Sequence, residues 1–423
     1  MKKIKLHKIN QNLYYYKSKY GLPIYMLKNT NVNEFYISLN VRYGSCHTEF
    51  YINDKYHKVS NGIAHFLEHV NFNIDDNMTA EEKFKKLGSS INAFTTFDFT
   101  SYIVCSNSRI KDNLKLLLDY VYKSYFTNSL VDKEKGIIVE EVRMGKNNPY
   151  RNLYYAANKA VYVNSKRRNL VVGEEEDVLD ITKEELELVH NNFYNVDNSF
   201  LVVTGNFNTK DIIDVVDNTI LEKNKNTVRI KDVEEIDRVN DKYKEIIDNK
   251  VEIPKLRISY KINDKRYKEY DKEELEIYMN ILLKNNFDET SLLYEELSEK
   301  ELITYMVSDY SDEDGYLVLG VTIETKYPDK IIDIIKDRMK NLTISEEDLI
   351  RKKRVGISFL INSYDDIEHV NTDIADQLIR FNKVYDNIYD MYNNININTM
   401  NDIIKRIDLG NESILIMKKD TNH

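Results

Sequence analysis

Apolar and polar positions alternate along this chain with two periods, and the periods mark out its elements. Phe35 to Arg42, Thr100 to Ser106 and Ser199 to Thr204 are rich in β-branched and aromatic residues and predict strands. Apolar residues recur at helical spacing over residues 80 to 87, 109 to 124, 130 to 145, 150 to 162 and 183 to 193, which predicts helices there. Ile63, Phe66, Leu67 and Val70 form a shorter stripe, a helix with one buried face, and Ser60, Asn61 and Gly62 stand before it as N-cap candidates. A run rich in Lys, Asn, Asp and Glu, about 222 to 250, breaks the pattern and reads as an inter-domain linker. After it come strand-like Leu256 to Ile262, helical 272 to 285 and 290 to 300, and strand-like Tyr316 to Glu324. No close internal sequence repeat is visible.

The polar face of the short helix carries the chemistry. His65-Phe66-Leu67-Glu68-His69 places two imidazoles four residues apart, so both can reach one metal ion, with the Glu68 carboxylate beside them. This is the reversed order of the His-Glu-x-x-His metalloprotease motif and defines the inverzincins. A catalytic zinc takes three protein ligands and keeps a position for water, so a third ligand is needed. Glu141, in the predicted helix 130 to 145, is the candidate, with Glu140 as its competitor.

Composition narrows the setting. At 423 residues the chain is long enough for two or three domains with substantial cores. No apolar run approaches the roughly 20 residues that span a bilayer. Met1-Lys2-Lys3-Ile4-Lys5-Leu6 is basic but lacks the apolar core of a secretory signal, and it does not read as a transit peptide. Cys46 and Cys105 are too few for a disulfide framework, which suits a soluble protein of a reducing, cytoplasmic compartment. The formal net charge of −10, with no basic stripe interleaved with aromatics, disfavours nucleic acid as a partner.

Asn61 through His69 resembles the active-site helix of the pitrilysin and insulin-degrading enzyme family, and within it the short branch that includes mitochondrial processing peptidase. Three more segments match in order: Gly88-Ser89-Ser90-Ile91-Asn92-Ala93-Phe94-Thr95 is similar to the substrate-binding edge strand, Glu134 through Glu141 to the helix carrying the third ligand, and Asn198 through Gly205 to the strand closing the first domain. The resemblance implies an α+β fold. Two homologous α/β sandwich domains, each a mixed sheet packed with helices, would be joined by the charged linker to make half of a clamshell. The expected boundaries are 1–225 for the zinc domain, 226–248 for the linker and 249–423 for a homologous domain without zinc. His369 and the terminal His423 are the second half's only histidines, so it cannot rebuild the motif.

Carried over residue by residue, the resemblance makes His65, His69 and Glu141 the ligands of one Zn2+ and Glu68 the general base. Glu134, two helical turns before Glu141, supports catalysis without being the main ligand. Asn92, Ala93 and Phe94 would hold the peptide backbone by strand addition. Family members that hydrolyse peptides also use an Arg and a Tyr seven residues apart in the second domain. Here Tyr305 matches the Tyr, but Ser298 stands at the Arg position. A serine cannot replace a guanidinium fork. The resemblance therefore points to the zinc subunit of a heterodimer whose sister chain supplies the Arg–Tyr pair, in preference to a homodimer. Arg257 or Arg266 would serve if the register differs. The expected function is a zinc endopeptidase for peptides or unfolded segments. The alternative is a non-catalytic assembly subunit of the same fold.

Overall fold

Two strands that are buried along their whole length organise the first half. Phe35–Val41 and Ser199–Gly205 expose none of their residues, as strands covered on both faces must. In the computed structural model, which describes residues 1–9, 11–75, 78–123 and 125–420, they are neighbours in a seven-stranded sheet. Its order is Lys2–Lys5, Asn12–Lys17, Pro23–Lys28, Ser199–Gly205, Phe35–Val41, Thr100–Ser106 and Ser90–Thr95. Only the Pro23–Lys28 and Ser199–Gly205 pair is parallel.

The sheet belongs to a unit formed by residues 1–143, 170–232 and 360–388. Helices Ile63–Asn71, Ile110–Tyr122, Asn128–Gly145 and Lys183–Phe193 bury Ile63, Phe66, Leu114, Leu117, Ile138 and Val189 in one core with Ile37, Leu39, Leu201 and Val203 of the central strands. Helix Ile367–Phe381 lies on the same central strands. There Asn371 donates to Tyr36 O and Val202 O at 3.3 and 3.2 Å and accepts from Ser38 Oγ at 2.5 Å.

The second unit comprises residues 144–169, 233–359 and 389–423. Its five-stranded sheet runs Tyr243–Ile247, Glu412–Lys418, Lys255–Asn263, Tyr316–Glu324, Tyr305–Glu313. The first pair is parallel and the rest are antiparallel. Five strands of the first sheet, taken from Pro23–Lys28 to Ser90–Thr95, repeat this order, this pattern of directions and this chain sequence. The fold is thus α+β and duplicated, although no repeat is visible in the residues. Helix Pro149–Val161 packs on Lys255–Asn263 and Glu412–Lys418, burying Leu153 and Ala157 against Val251, Leu415 and Met417.

The compact units therefore do not coincide with the sequence halves, because each sheet's second face is covered by a helix from a distant part of the chain. The charged stretch 226–248 also carries structure of its own. Val228–Ile230 pairs with Glu49–Ile52 in the first unit, and Tyr243–Ile247 pairs with Glu412–Lys418 in the second. Cys46 and Cys105 are both half-buried. His423 lies outside the described residues. Among the described residues, no helix is long and apolar enough to cross a membrane.

Candidate metal centre

Helix Ile63–Asn71 begins at Gly62, and the reason is steric. A Cβ at Gly62 would lie 2.5 Å from Val172 O, and the backbone there is left-handed, with φ +79°. Of the three N-cap candidates the helix uses Gly62, and neither Ser60 nor Asn61 caps it. The Ser60 N–H and Oγ donate to Glu185 Oε1 at 3.0 and 3.2 Å, and Asn61 Nδ2 donates to Asp177 Oδ1 at 3.1 Å. The two polar residues thus bind the helix start to its neighbours. Ile63, Phe66, Leu67 and Val70 are fully buried, which turns His65, Glu68 and His69 toward the helix Asn128–Gly145.

That second helix brings Glu134 and Glu141 to the pair of imidazoles. His65 Nε2 lies 3.6 Å from Glu141 Oε1, and His69 Nε2 lies 3.5 Å from Glu141 Oε2. Ligand atoms on a tetrahedral zinc with bonds of about 2.0–2.2 Å stand roughly 3.3–3.6 Å apart, so each imidazole stands from Glu141 at the spacing of two zinc ligands, and two imidazoles with a carboxylate are donors that zinc takes. Among the described residues, His65, His69 and Glu141 are the one group of three such side chains whose ligand atoms all lie within 4.8 Å of one another. Glu140, the competitor, is exposed and pairs with Arg143 at 2.6 Å.

Glu134 takes the other edge of His69, with Oε2 3.6 Å from Nδ1. Burial disfavours the His69 cation, but the Glu134 and Glu141 carboxylates outweigh it and raise the ring's pKa to about 9. A metal would take the place of that proton at Nε2, and Glu134 would then set the tautomer from Nδ1. Glu68 is 7% exposed. Burial raises its pKa, opposed by a hydrogen bond from Thr95 and by the nearby His69. Behind it are the buried phenols Tyr102, Tyr120 and Tyr194; Tyr102 accepts from Asn71 Nδ2 at 2.8 Å and meets Tyr194 Oη at 3.1 Å.

Among the described residues, strand Ser90–Thr95 is the last of its sheet and pairs only with Thr100–Ser106. Asn92 is exposed, Ala93 and Phe94 are half-buried, and Phe94 meets the edge of the Phe99 ring at 5.7 Å. The strand ends at Thr95, whose Oγ1 donates to Glu68 Oε2 at 2.6 Å. This contact was missed in the sequence, where Thr95 reads only as the close of the strand. Its partner becomes visible only when the hairpin folds against helix Ile63–Asn71.

Tyr305 belongs to the second unit, at the start of the edge strand Tyr305–Glu313. It meets the Tyr150 ring edge-on at 6.2 Å, and Tyr150 donates to Glu324 Oε1 at 2.6 Å. Ser298 lies on helix Leu292–Glu299. The two alternative arginines are committed elsewhere. Arg257 forms a bidentate pair with Asp309, and Arg266 pairs with Asp408.

Two family models match the chain. Residues 26–170 match insulinase, peptidase family M16, and residues 180–355 match the peptidase M16 inactive domain. The chain is 33% identical to a Bacillus subtilis protein named uncharacterized zinc protease YmfH over 369 residues, which cover 84% of this chain and 85% of that one. It is 26% identical to the beta subunit of the Dictyostelium discoideum mitochondrial-processing peptidase over 37% of this chain and 34% of that subunit. The fold is similar to an M16-like peptidase from Alicyclobacillus acidocaldarius, with a TM-score of 0.89 at 23% identity over 98% of this chain and all of that one.

Proposed function

Because this chain belongs to the insulinase family of peptidases, family M16, we propose that it is a cytoplasmic zinc metalloendopeptidase for peptides or unfolded segments. It holds one Zn2+ through His65, His69 and Glu141. The observation that carries this reading is the meeting of those three ligand atoms beside a buried carboxylate, Glu68, that is not one of the three. When bound there, zinc supplies a Lewis acid that polarises the scissile carbonyl and acidifies a water. Glu68 takes the proton from that water and returns it to the leaving amine. Glu134 holds the His69 ring. Asn92, Ala93 and Phe94 align the peptide backbone along the open strand edge, which reads few side chains and demands an extended substrate.

The chain acts as the zinc subunit of a heterodimer, its sister subunit supplying the Arg–Tyr pair that Ser298 and Tyr305 do not complete. The engagement of Arg257 with Asp309 and of Arg266 with Asp408 supports this, as does likeness to a relative named as a beta subunit.

Hydrolysis of a quenched-fluorescence peptide pool tests the proposal, with the zinc-loaded chain alone and mixed with a sister chain bearing Arg and Tyr seven apart. Glu68→Gln is the control. Turnover that appears only in the mixture and falls by about 10²–10⁴ in the control is expected. Turnover by the chain alone would overturn the heterodimer. A Glu68→Gln protein that retains its function would overturn the enzyme and leave the non-catalytic assembly subunit.

A further inference from the structure

The general base is held by the strand that would receive the peptide. Thr95 is the last residue of Ser90–Thr95, and its one hydroxyl hydrogen is directed at Glu68 Oε2, 2.6 Å away. A donor at that distance fixes which carboxylate oxygen is occupied, and Oε1 is left to handle the proton of the attacking water.

The backbone that carries the hydroxyl is itself tied down. Thr95 faces Thr100 across the hairpin, and the turn between them is closed by Thr96, whose N–H donates to Phe99 O at 2.8 Å and whose Oγ1 accepts from Phe99 N at 3.0 Å. The turn is pressed against the segment Tyr43–Cys46. Ser45 N donates to Thr96 O at 3.0 Å, Cys46 N donates to Phe97 O at 2.9 Å, and Thr100 Oγ1 donates to Tyr43 O at 2.9 Å. Gly44 permits that approach, since a Cβ there would lie 2.5 Å from the backbone of Phe97 and Asp98. A side chain on a backbone so tied down is suited to orienting another.

We propose that Thr95 is the positioning residue of the general base and ties the orientation of Glu68 to the peptide-receiving strand. This deepens the peptidase reading and rests on it. Thr95 is not one of the three candidate ligands, and its hydroxyl acts through Glu68.

Thr95→Val keeps the shape and removes the donor, and Thr95→Ser keeps the donor and removes the methyl group. In the zinc-loaded protein with its sister chain, Thr95→Val is expected to lower kcat by about 10–100-fold, with KM and zinc content within about twofold of the unsubstituted protein. Thr95→Ser stays within about threefold in kcat. A role in strand packing alone would make the serine at least as harmful as the valine, because the serine opens a gap and the valine does not. Crystal structures of both variants give a readout independent of turnover: Glu68 leaves its single orientation in Thr95→Val and keeps it in Thr95→Ser. Unchanged kcat and an unmoved Glu68 in Thr95→Val would overturn the inference. If no Glu68-dependent hydrolysis is found in any mixture, the peptidase reading fails and the Glu68 density alone decides the role of Thr95.

Discussion

Glu134 stands against the Nδ1 edge of His69 at 3.6 Å, opposite the edge that faces Glu141. Two carboxylates seven residues apart on one helix thus hold the two nitrogens of one ring. A carboxylate so placed would set the tautomer and basicity of a ligating imidazole, an effect worth about 10–100-fold in metal affinity in comparable sites. Glu134→Gln should weaken zinc binding by that order, measured by competition with a chromophoric chelator. Glu140→Gln should leave it unchanged, since Glu140 turns to Arg143. Equal losses in the two variants would remove Glu134 from the site.

Gly62 and Gly88 separate strain from collision. Both have left-handed backbones, at φ +79° and +75°, but a Cβ at Gly62 meets Val172 O at 2.5 Å while at Gly88 nothing lies within 4 Å. Gly88→Ala should therefore cost only conformational strain, about 1–2 kcal/mol. Gly62→Ala adds a backbone clash at the first turn of the helix that carries His65 and His69. We expect a larger loss in urea unfolding and a zinc content well below one per chain. Similar losses for the two would show that the helix start can shift without disturbing His65 and His69.

His190 gives the protein a specific weakness toward acid. Its ring is buried, lies near-parallel to Tyr194 at 4.8 Å and meets Val121 O at 3.0 Å. Burial lowers its pKa to about 4, against a small opposing effect of the Val121 carbonyl. The unfolded chain, with an imidazole pKa of about 6.5, then binds a proton that the native state refuses. The neutral ring's contribution is complete above pH ~6.5 and is lost as the pH falls toward 4, roughly 3 kcal/mol in all. His190→Gln keeps an N–H for Val121 and removes the titration. Its urea midpoint should fall less steeply between pH 6.5 and 4, and a parallel fall would rule the residue out as the cause.

What the residues revealed in advance was local. His65, Glu68 and His69 stand out because one short helix carries them at a fixed spacing and its amphipathic stripe fixes which way it faces. Glu134 and Glu141 are picked out by resemblance to a family helix, and the structure brings these glutamates to the two imidazoles. The strands Thr100–Ser106 and Tyr316–Glu324 match their expected limits because their pattern is likewise local. What was not legible depends on parts of the chain far apart in sequence. Thr95 becomes a partner of Glu68 only through a hairpin and a helix 27 residues away. Ser60 and Asn61 carry the composition of caps, but Val172 O crowds the junction and leaves the position to Gly62. The charged stretch 226–248 looks like linker because its two strands are short and half-exposed at sheet margins, where apolar alternation is weak. The duplication is hidden because strand order is conserved in space without residue identity.

The most exposed test of the second unit's architecture is its buried ion pair. Lys261 Nζ lies 2.6 Å from Glu235 Oε1, and neither side chain is exposed at all. Lys261 also donates to Ile236 O and Arg238 O at 2.7 and 3.0 Å, and Glu235 accepts from the N–H groups of Val163, Asn164 and Ser165 at 2.6–2.8 Å. Two irregular segments, 163–165 and 235–238, thereby gain partners for backbone groups that no strand or helix satisfies. Removing one charge strands the other in a low-dielectric site, which costs about 3–5 kcal/mol, whereas replacing both with apolar groups can be nearly neutral. The pair here also satisfies five backbone groups, so a double replacement orphans them. Lys261→Met should lose about 3–5 kcal/mol in urea unfolding, and the Lys261→Met, Glu235→Leu double variant should recover little of it. Full recovery would mean that the pair is an isolated charge interaction and that segments 163–165 and 235–238 hold their places without it.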